Sequence, residues 1–128
     1  MKQLNVWNKA TKKQLSPALN NAKGTIKREV LTGVSKLWSF NDGELLAVTR
    51  LEGSEFVLVA VAGKSLRKYT PEIYSYAKRV GASTLRVHTQ VPKAIGRALR
   101  AYPFKLIEVR ESLFNKTEFV YRMDLYNE

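Results

Sequence analysis

Cysteine is missing from this chain of 128 residues, and histidine occurs once, at His88. Without thiols there is no disulfide, no thiolate metal ligand and no cysteine nucleophile. With one imidazole, a multi-histidine metal centre cannot form within a single chain. Long apolar runs are missing too. None approaches the roughly 20 residues needed to cross a bilayer, and the opening "MKQLNVWNKATKK" lacks the apolar core of a secretion signal. A soluble cytoplasmic protein with no membrane partner is expected. No repeat, low-complexity tract or linker interrupts the chain, so residues 1–128 read as one domain, large enough to bury a core without staples.

Acid is the other scarcity. The chain has 11 Asp and Glu against 22 Lys and Arg, a net charge of +11. The imbalance is local: residues 2–36 carry eight bases and one acid, and residues 64–100 carry nine bases and only Glu72. Residues 37–63 carry one base and four acids, and residues 105–128 carry four bases and five acids. A field with direction draws anions such as nucleic acid or phosphorylated cofactors.

The hydrophobic pattern supplies the elements. "KQLNV" is a short first strand. "ATKKQLSPALNNAKG" places Leu15, Ala18, Leu19 and Ala22 on one helical face, with Gly24 as its stop and Pro17 implying a late start or a kink. "TIKREVLTGVSK" has weaker helical spacing. "KLWSF", "ELLAVTRLE" and "EFVLVAVAG" are strands joined by "NDGE" and "GS", turn sequences that make an antiparallel meander. The third is apolar at almost every position, as in a strand covered on both faces. The spacing then predicts a helix with Thr70 as N-cap, Pro71 at its first position and Glu72 on its dipole. "TLRVHTQ" is an alternating strand, "PKAIGRALRAY" a helix opened by Pro92, and "FKLIEVRESL" with "TEFVYRMDL" a hairpin turning at "FNK". The order βα(α)βββαβαββ defines an α+β fold, a mixed and mostly antiparallel central sheet flanked by helices.

This order resembles the GNAT superfamily of N-acetyltransferases over essentially the whole chain. "VWNKATKKQLSPAL" is similar to the family's opening strand and first helix, and "YSYAKRVGASTLRVHTQVPKAIGRALRAYPFKLIEVRES" to its second half. The resemblance implies a fold in which two neighbouring strands splay apart and hold a coenzyme A thioester. A substrate amine attacks the thioester carbonyl, and an acid protonates the departing thiolate. The pyrophosphate rests on amides of a glycine-rich loop at a helix start.

Residue by residue, the sequence departs from the family pattern. The family's loop has Gln or Arg, two residues, Gly, one residue, then Gly or Ala, whereas "AGKSLRKYT" supplies only Gly63. If acetyl-CoA binds, the residues implied are Val59, Val61, Gly63, Lys64, Ser65, Arg67 and Lys68. The family's tyrosine position falls on Leu99, Pro103 stands where a glycine belongs, and Pro92 where an asparagine is common. Tyr102 is the nearest replacement acid. Glu44, Glu52 and Glu55 lie near the hairpins of the implied acceptor cleft, with Glu44 the candidate base, and His88 is a strand histidine able to serve as one. Lys68, Lys78, Arg79, Arg86, Lys93, Arg97 and Arg100 form a candidate anion-binding surface. No metal site is indicated.

The combined expectation is a degenerate GNAT-fold basic protein, non-catalytic and needing no cofactor, that binds nucleic acid or an acidic protein surface. Compact basic versions of the fold are similar to proteins carried by bacteriophages, which implies a virion or host-cytoplasm setting. Two alternatives stand beside it: an acetyl-CoA-dependent N-acetyltransferase with an atypical loop, and a phage-encoded inhibitor of a host protein.

Overall fold

A computed structural model describes residues 1–19, 23–111 and 117–125. The elements follow in the order β1 (Lys2–Leu4), α1 (Lys9–Leu19), α2 (Lys23–Thr32), β2 (Lys36–Phe40), β3 (Leu45–Glu52), β4 (Glu55–Gly63), α3 (Leu66–Arg79), β5 (Thr84–Thr89), α4 (Pro92–Ala98), β6 (Lys105–Arg110) and β7 (Glu118–Asp124). The strands form one sheet in the order β1-β2-β3-β4-β5-β7-β6. Every neighbouring pair is antiparallel except β4 and β5. The α+β order read from the sequence is the observed one.

Turn chemistry fixes the meander. Asn41, Asp42 and Gly43 all take positive φ between β2 and β3, and Gly53 does so in the two-residue turn between Glu52 and Glu55. At the start of α1 the Asn8 side chain accepts the Thr11 amide at 2.8 Å, so this helix is capped early and runs through Pro17. Gly24 does not stop α1; it lies inside α2. Ala22 and the "FNK" turn lie outside the described residues.

The sheet divides the interior into two cores. On one face Phe40, Leu45, Phe56, Leu58, Leu85 and Val87 pack with Ile73 and Ala77 of α3 and Ile95 of α4. On the other, Leu37, Leu46, Val48 and Ala60 pack with Leu15 of α1 and Ile26 and Val30 of α2. Strand alternation predicts that Leu58 and Ala60 share a face, yet they belong to different cores. The reason is a β-bulge: Val48 pairs with Ala60 and Thr49 with Leu58, leaving Val59 as an extra residue. From there the alternation shifts by one, so Val61 faces α3 and α4 while Ala60 and Ala62 face α1.

The helix after β4 starts earlier than its local sequence suggests. Thr70 and Pro71 lie inside α3, and Ser65 is its N-cap. Thr70 Oγ1 donates to the Leu66 carbonyl at 2.7 Å, a bond within the helix. Pro71 removes only the amide that would have met the Arg67 carbonyl. The chain is instead fixed from outside the helix, by Glu44, whose backbone carbonyl accepts the Lys64 amide at 2.8 Å. α4 is shorter than expected, with Leu99 as its C-cap.

Candidate active site

β4 and β5 pair for only four residues, from Glu55 with Thr84 to Leu58 with Val87. Both strands continue beyond that point, β4 to Gly63 and β5 to Thr89, without pairing. The last paired residue, Leu58, is followed directly by the bulge at Val59. A bulge raises local twist and bends its strand, which accounts for the parting. Past Val59 the β5-side edge of β4 has no ladder partner, so its polar groups are open to other use.

The space between the parted strands is an open cleft. One side is a cavity of about 410 Å³ bounded by Leu45, Leu66, Arg67, Ala94, Arg97 and Ala98. The other is a cavity of about 320 Å³ bounded by Gln14, Pro17, Ala18, His88, Thr89 and Gln90. Both share Val61, Ala62, Gly63, Val91 and Ile95, so they adjoin along one passage between the parted strands. Its shared walls are apolar, suited to an extended chain that must shed water.

At one end of the passage lies the start of α3. Ser65 sits in the left-handed region (φ 69°, ψ 32°), and its hydroxyl makes no cap bond to its own helix. It donates instead to Glu44 Oε2 at 2.5 Å. The first-turn amides of α3 are therefore left without a side-chain cap, and such amides favour anions. Arg67 from this turn and Arg97 from α4 both line the same cavity. Neither makes an ion pair among the described residues. Two guanidiniums without an ion pair, and the amides of Leu66 and Arg67 at a helix start whose Lys68 and Tyr69 amides already meet the Ser65 carbonyl, match the needs of a pyrophosphate.

Gly63 has a different duty from the one a phosphate loop would give it. Its φ is +130°, and a Cβ there would lie 2.2 Å from the Glu44 carbonyl and 2.8 Å from Gln14 Nε2. The space it keeps clear is filled by this chain, so the glycine serves the packing of β4 against β3. Gln14 completes the brace by donating to the Gly43 and Ala62 carbonyls, each at 3.0 Å. Nothing in the sequence signals this role for Gln14.

Glu44 is a strut. Hydrogen bonds from Ser65, Asn41 and Tyr69 hold its carboxyl down at about 2, a poor setting for a general base at neutral pH. Tyr102 packs against Tyr74 with ring centroids 5.3 Å apart and lines a separate cavity with Leu99, Phe104 and Tyr121. Val59 packs with the α1–α2 core, and Val61 lines the cleft. Lys64 is exposed, and Lys68 lies over the Tyr69 ring at 5.3 Å.

Among the residues lining the cleft, His88 is the one imidazole. Its Nδ1 lies 3.1 Å from Glu118 Oε1, and its Nε2 accepts Arg86 Nε–H at 3.0 Å. These contacts place the proton of the neutral ring on Nδ1. Arg86 also donates to Glu55 at 2.7 Å and to Glu52 at 2.9 Å. It therefore does not belong with the free cations of α3 and α4, because strand alternation sends Leu85 and Val87 toward those helices and Arg86 the opposite way.

No family model matches the chain, and no curated protein is similar to it by sequence. Solved structures are similar to it in fold. An acetyltransferase from Bacillus subtilis in complex with CoA aligns over 98% of this chain and 97% of its own, with a TM-score of 0.74 at 13% identity. Aminoglycoside 6'-acetyltransferase type Ii aligns over 100% and 99%, with a TM-score of 0.58 at 13% identity. The ribosomal-protein-S18-alanine N-acetyltransferase of Escherichia coli aligns over 73% and 70%, with a TM-score of 0.55 at 12% identity. The chain is built on the fold of the GNAT acetyltransferases.

Proposed function

We propose that this protein is an N-acyltransferase that takes its acyl group from acetyl-CoA. The observation that carries the reading is the open passage between β4 and β5, which begins at the bulge and ends at the uncapped start of α3. Support also comes from fold neighbours solved with CoA and with acetyl-CoA. The expectation of a cofactor-free, non-catalytic protein rests on missing loop glycines. It loses its ground where Arg67, Arg97 and the first-turn amides of α3 converge on one cavity.

When bound, the thioester supplies an acyl carbon open to attack by an amine. Arg67, Arg97 and the α3 amides would hold the phosphates, and Val61, Val91 and Ile95 would line the acyl-bearing arm and exclude water. The unladdered edge of β4 after Val59 offers backbone donors to a carbonyl oxygen, where such donors act most strongly in a dry site. His88 would take the amine proton on Nε2 once Arg86 yields that nitrogen, with Glu118 holding Nδ1–H in place. As the new C–N bond forms the C–S bond would break, and the thiolate would leave as the free thiol by taking up a proton from water in the open cleft.

The experiment is thiol release from acetyl-CoA across a panel of primary amines. Release above the solvent rate is expected with wild-type protein, and His88→Ala should lower it by about 10²–10⁴-fold. No release with any amine, together with no CoA binding, overturns the reading.

A further inference from the structure

α3 and α4 carry Lys64, Arg67, Lys68, Lys78, Arg79, Lys93, Arg97 and Arg100 in or beside them, with Glu72 as the sole acid of that stretch. Thr70, Ile73 and Ala77 are the buried residues of α3, so Lys68, Ser75 and Arg79 lie on its outward side. None of the eight cations makes an ion pair among the described residues, and Glu72 is itself engaged by the Met1 amino group at 2.5 Å. The contrast is with Arg50, Arg86, Arg110 and Arg122, each of which holds a glutamate. We propose that the α3–α4 face is a docking surface for a nucleic-acid duplex, gripped through its phosphates.

Two observations favour nucleic acid over an acidic protein. A protein interface has an apolar centre, whereas nucleic-acid interfaces are more polar and much more positive. Of the large apolar side chains exposed among the described residues, only Val80 and Val91 belong to this face, one at the end of α3 and one at the start of α4, and the three that cluster, Leu106, Ile107 and Val109, are on β6. Several of the α3 cations also rest on tyrosine rings, Lys78 over Tyr74 at 5.2 Å and Arg79 over Tyr76 at 5.4 Å. That seating limits their freedom before a phosphate arrives. Contacts to phosphates carry no sequence information, so sequence preference is not expected. This inference does not depend on acyl transfer.

The test is fluorescence anisotropy of a labelled duplex over a range of salt. Wild-type affinity should fall steeply with salt, since each neutralised phosphate releases counterions. Lys93→Ala/Arg97→Ala/Arg100→Ala should weaken binding on the order of tenfold and flatten the log–log slope by about one unit for each phosphate no longer neutralised. Lys68→Ala/Lys78→Ala/Lys93→Ala should do the same, and it stands in if the first variant fails to fold by circular dichroism. Lys9→Ala/Lys12→Ala/Lys13→Ala, on α1, removes equal charge from the other side of the sheet and should change the slope little. Equal weakening by all three variants reduces the effect to net charge and overturns the proposal. So does no binding at low salt, or polyglutamate binding as tightly as the duplex.

Discussion

Arg86 and Arg97 belong to one basic stretch of sequence and lie on opposite sides of the sheet. On the α1–α2 side, the arginines of the strands are tied down. Arg50 bridges Glu29 and Glu52, Arg86 bridges Glu52 and Glu55 and reaches His88, and Arg122 meets Glu55 at 2.5 Å. On the α3–α4 side, Arg67 and Arg97 stand at a cleft mouth without a carboxylate among the described residues. One residue type thus does two jobs. Paired, it ties the strands of that face to one another and to α2; unpaired, it keeps an attraction for ligands that have not yet bound. A charge count along the chain cannot separate the two, but strand alternation can.

The difference should show first in stability. Leu58 sits in the α3–α4 core at 2% exposure, and Leu58→Ala should cost about 2–5 kcal/mol by denaturant titration. A loss below about 1 kcal/mol would mean that the bulge has been placed wrongly and that Leu58 does not face α3. Next come the arginines. Arg86→Ala strips partners from Glu52, Glu55 and His88 and should cost about 1–3 kcal/mol, whereas Arg97→Ala should stay within about 0.5 kcal/mol. Equal costs would erase the distinction between paired and free cations.

Acid should weaken the paired side selectively. Burial alone would raise the Glu55 carboxyl, yet bonds from Arg122 and Thr84 and the charges of Arg86 and Arg122 lower it overall. Glu52 is lowered in the same way, against its burial, by Arg50 and Arg86. A carboxyl lowered by folding adds stability above its unfolded value of 4.5, and that stability is lost as pH falls below it. The thermal midpoint should therefore drop on acidification below that value, and drop less in Arg86→Ala. The smallest effect belongs to Glu44, held at about 2 by Ser65, Asn41 and Tyr69. Its contribution declines from 4.5 downward and is gone near 2, and because the carboxyl is exposed, solvent screening keeps it small. Glu44→Gln should remove that acid limb and loosen protection in hydrogen exchange of the Lys68 and Tyr69 amides, which donate to the Ser65 carbonyl.

Much of the fold is legible because its signals are local. "NDG" and "GS" demand left-handed turns and receive them at Asn41, Asp42, Gly43 and Gly53. "EFVLVAVAG" reads as a strand covered on both faces, and β4 has those bounds. Where sequence and structure differ, the cause is contact from distant sequence. Thr70-Pro71-Glu72 is the stronger local cap, but the grip of Glu44 on Ser65 and Lys64 starts α3 earlier. Sequence position groups Arg86 with the free cations because its partners Glu52 and Glu55 come from the preceding hairpin. The bulge at Val59 follows from register between β3 and β4, which a single strand's sequence does not carry. Missing glycines are what the sequence shows of the cleft, while the features that shape it come from pairing, from Gln14 and from Arg97.

Calorimetric titration of the protein with coenzyme A at low salt tests the cleft most directly. One molecule should bind per chain, and Arg67→Ala/Arg97→Ala should weaken it by about 10-fold or more, as the loss of two charge-assisted phosphate bonds requires. Arg86→Ala, equal in charge to either single change but on the other face, should leave the affinity within about twofold. Absence of binding to the wild-type protein, or an affinity indifferent to Arg67 and Arg97, would contradict the assignment of the β4–β5 passage as the donor site.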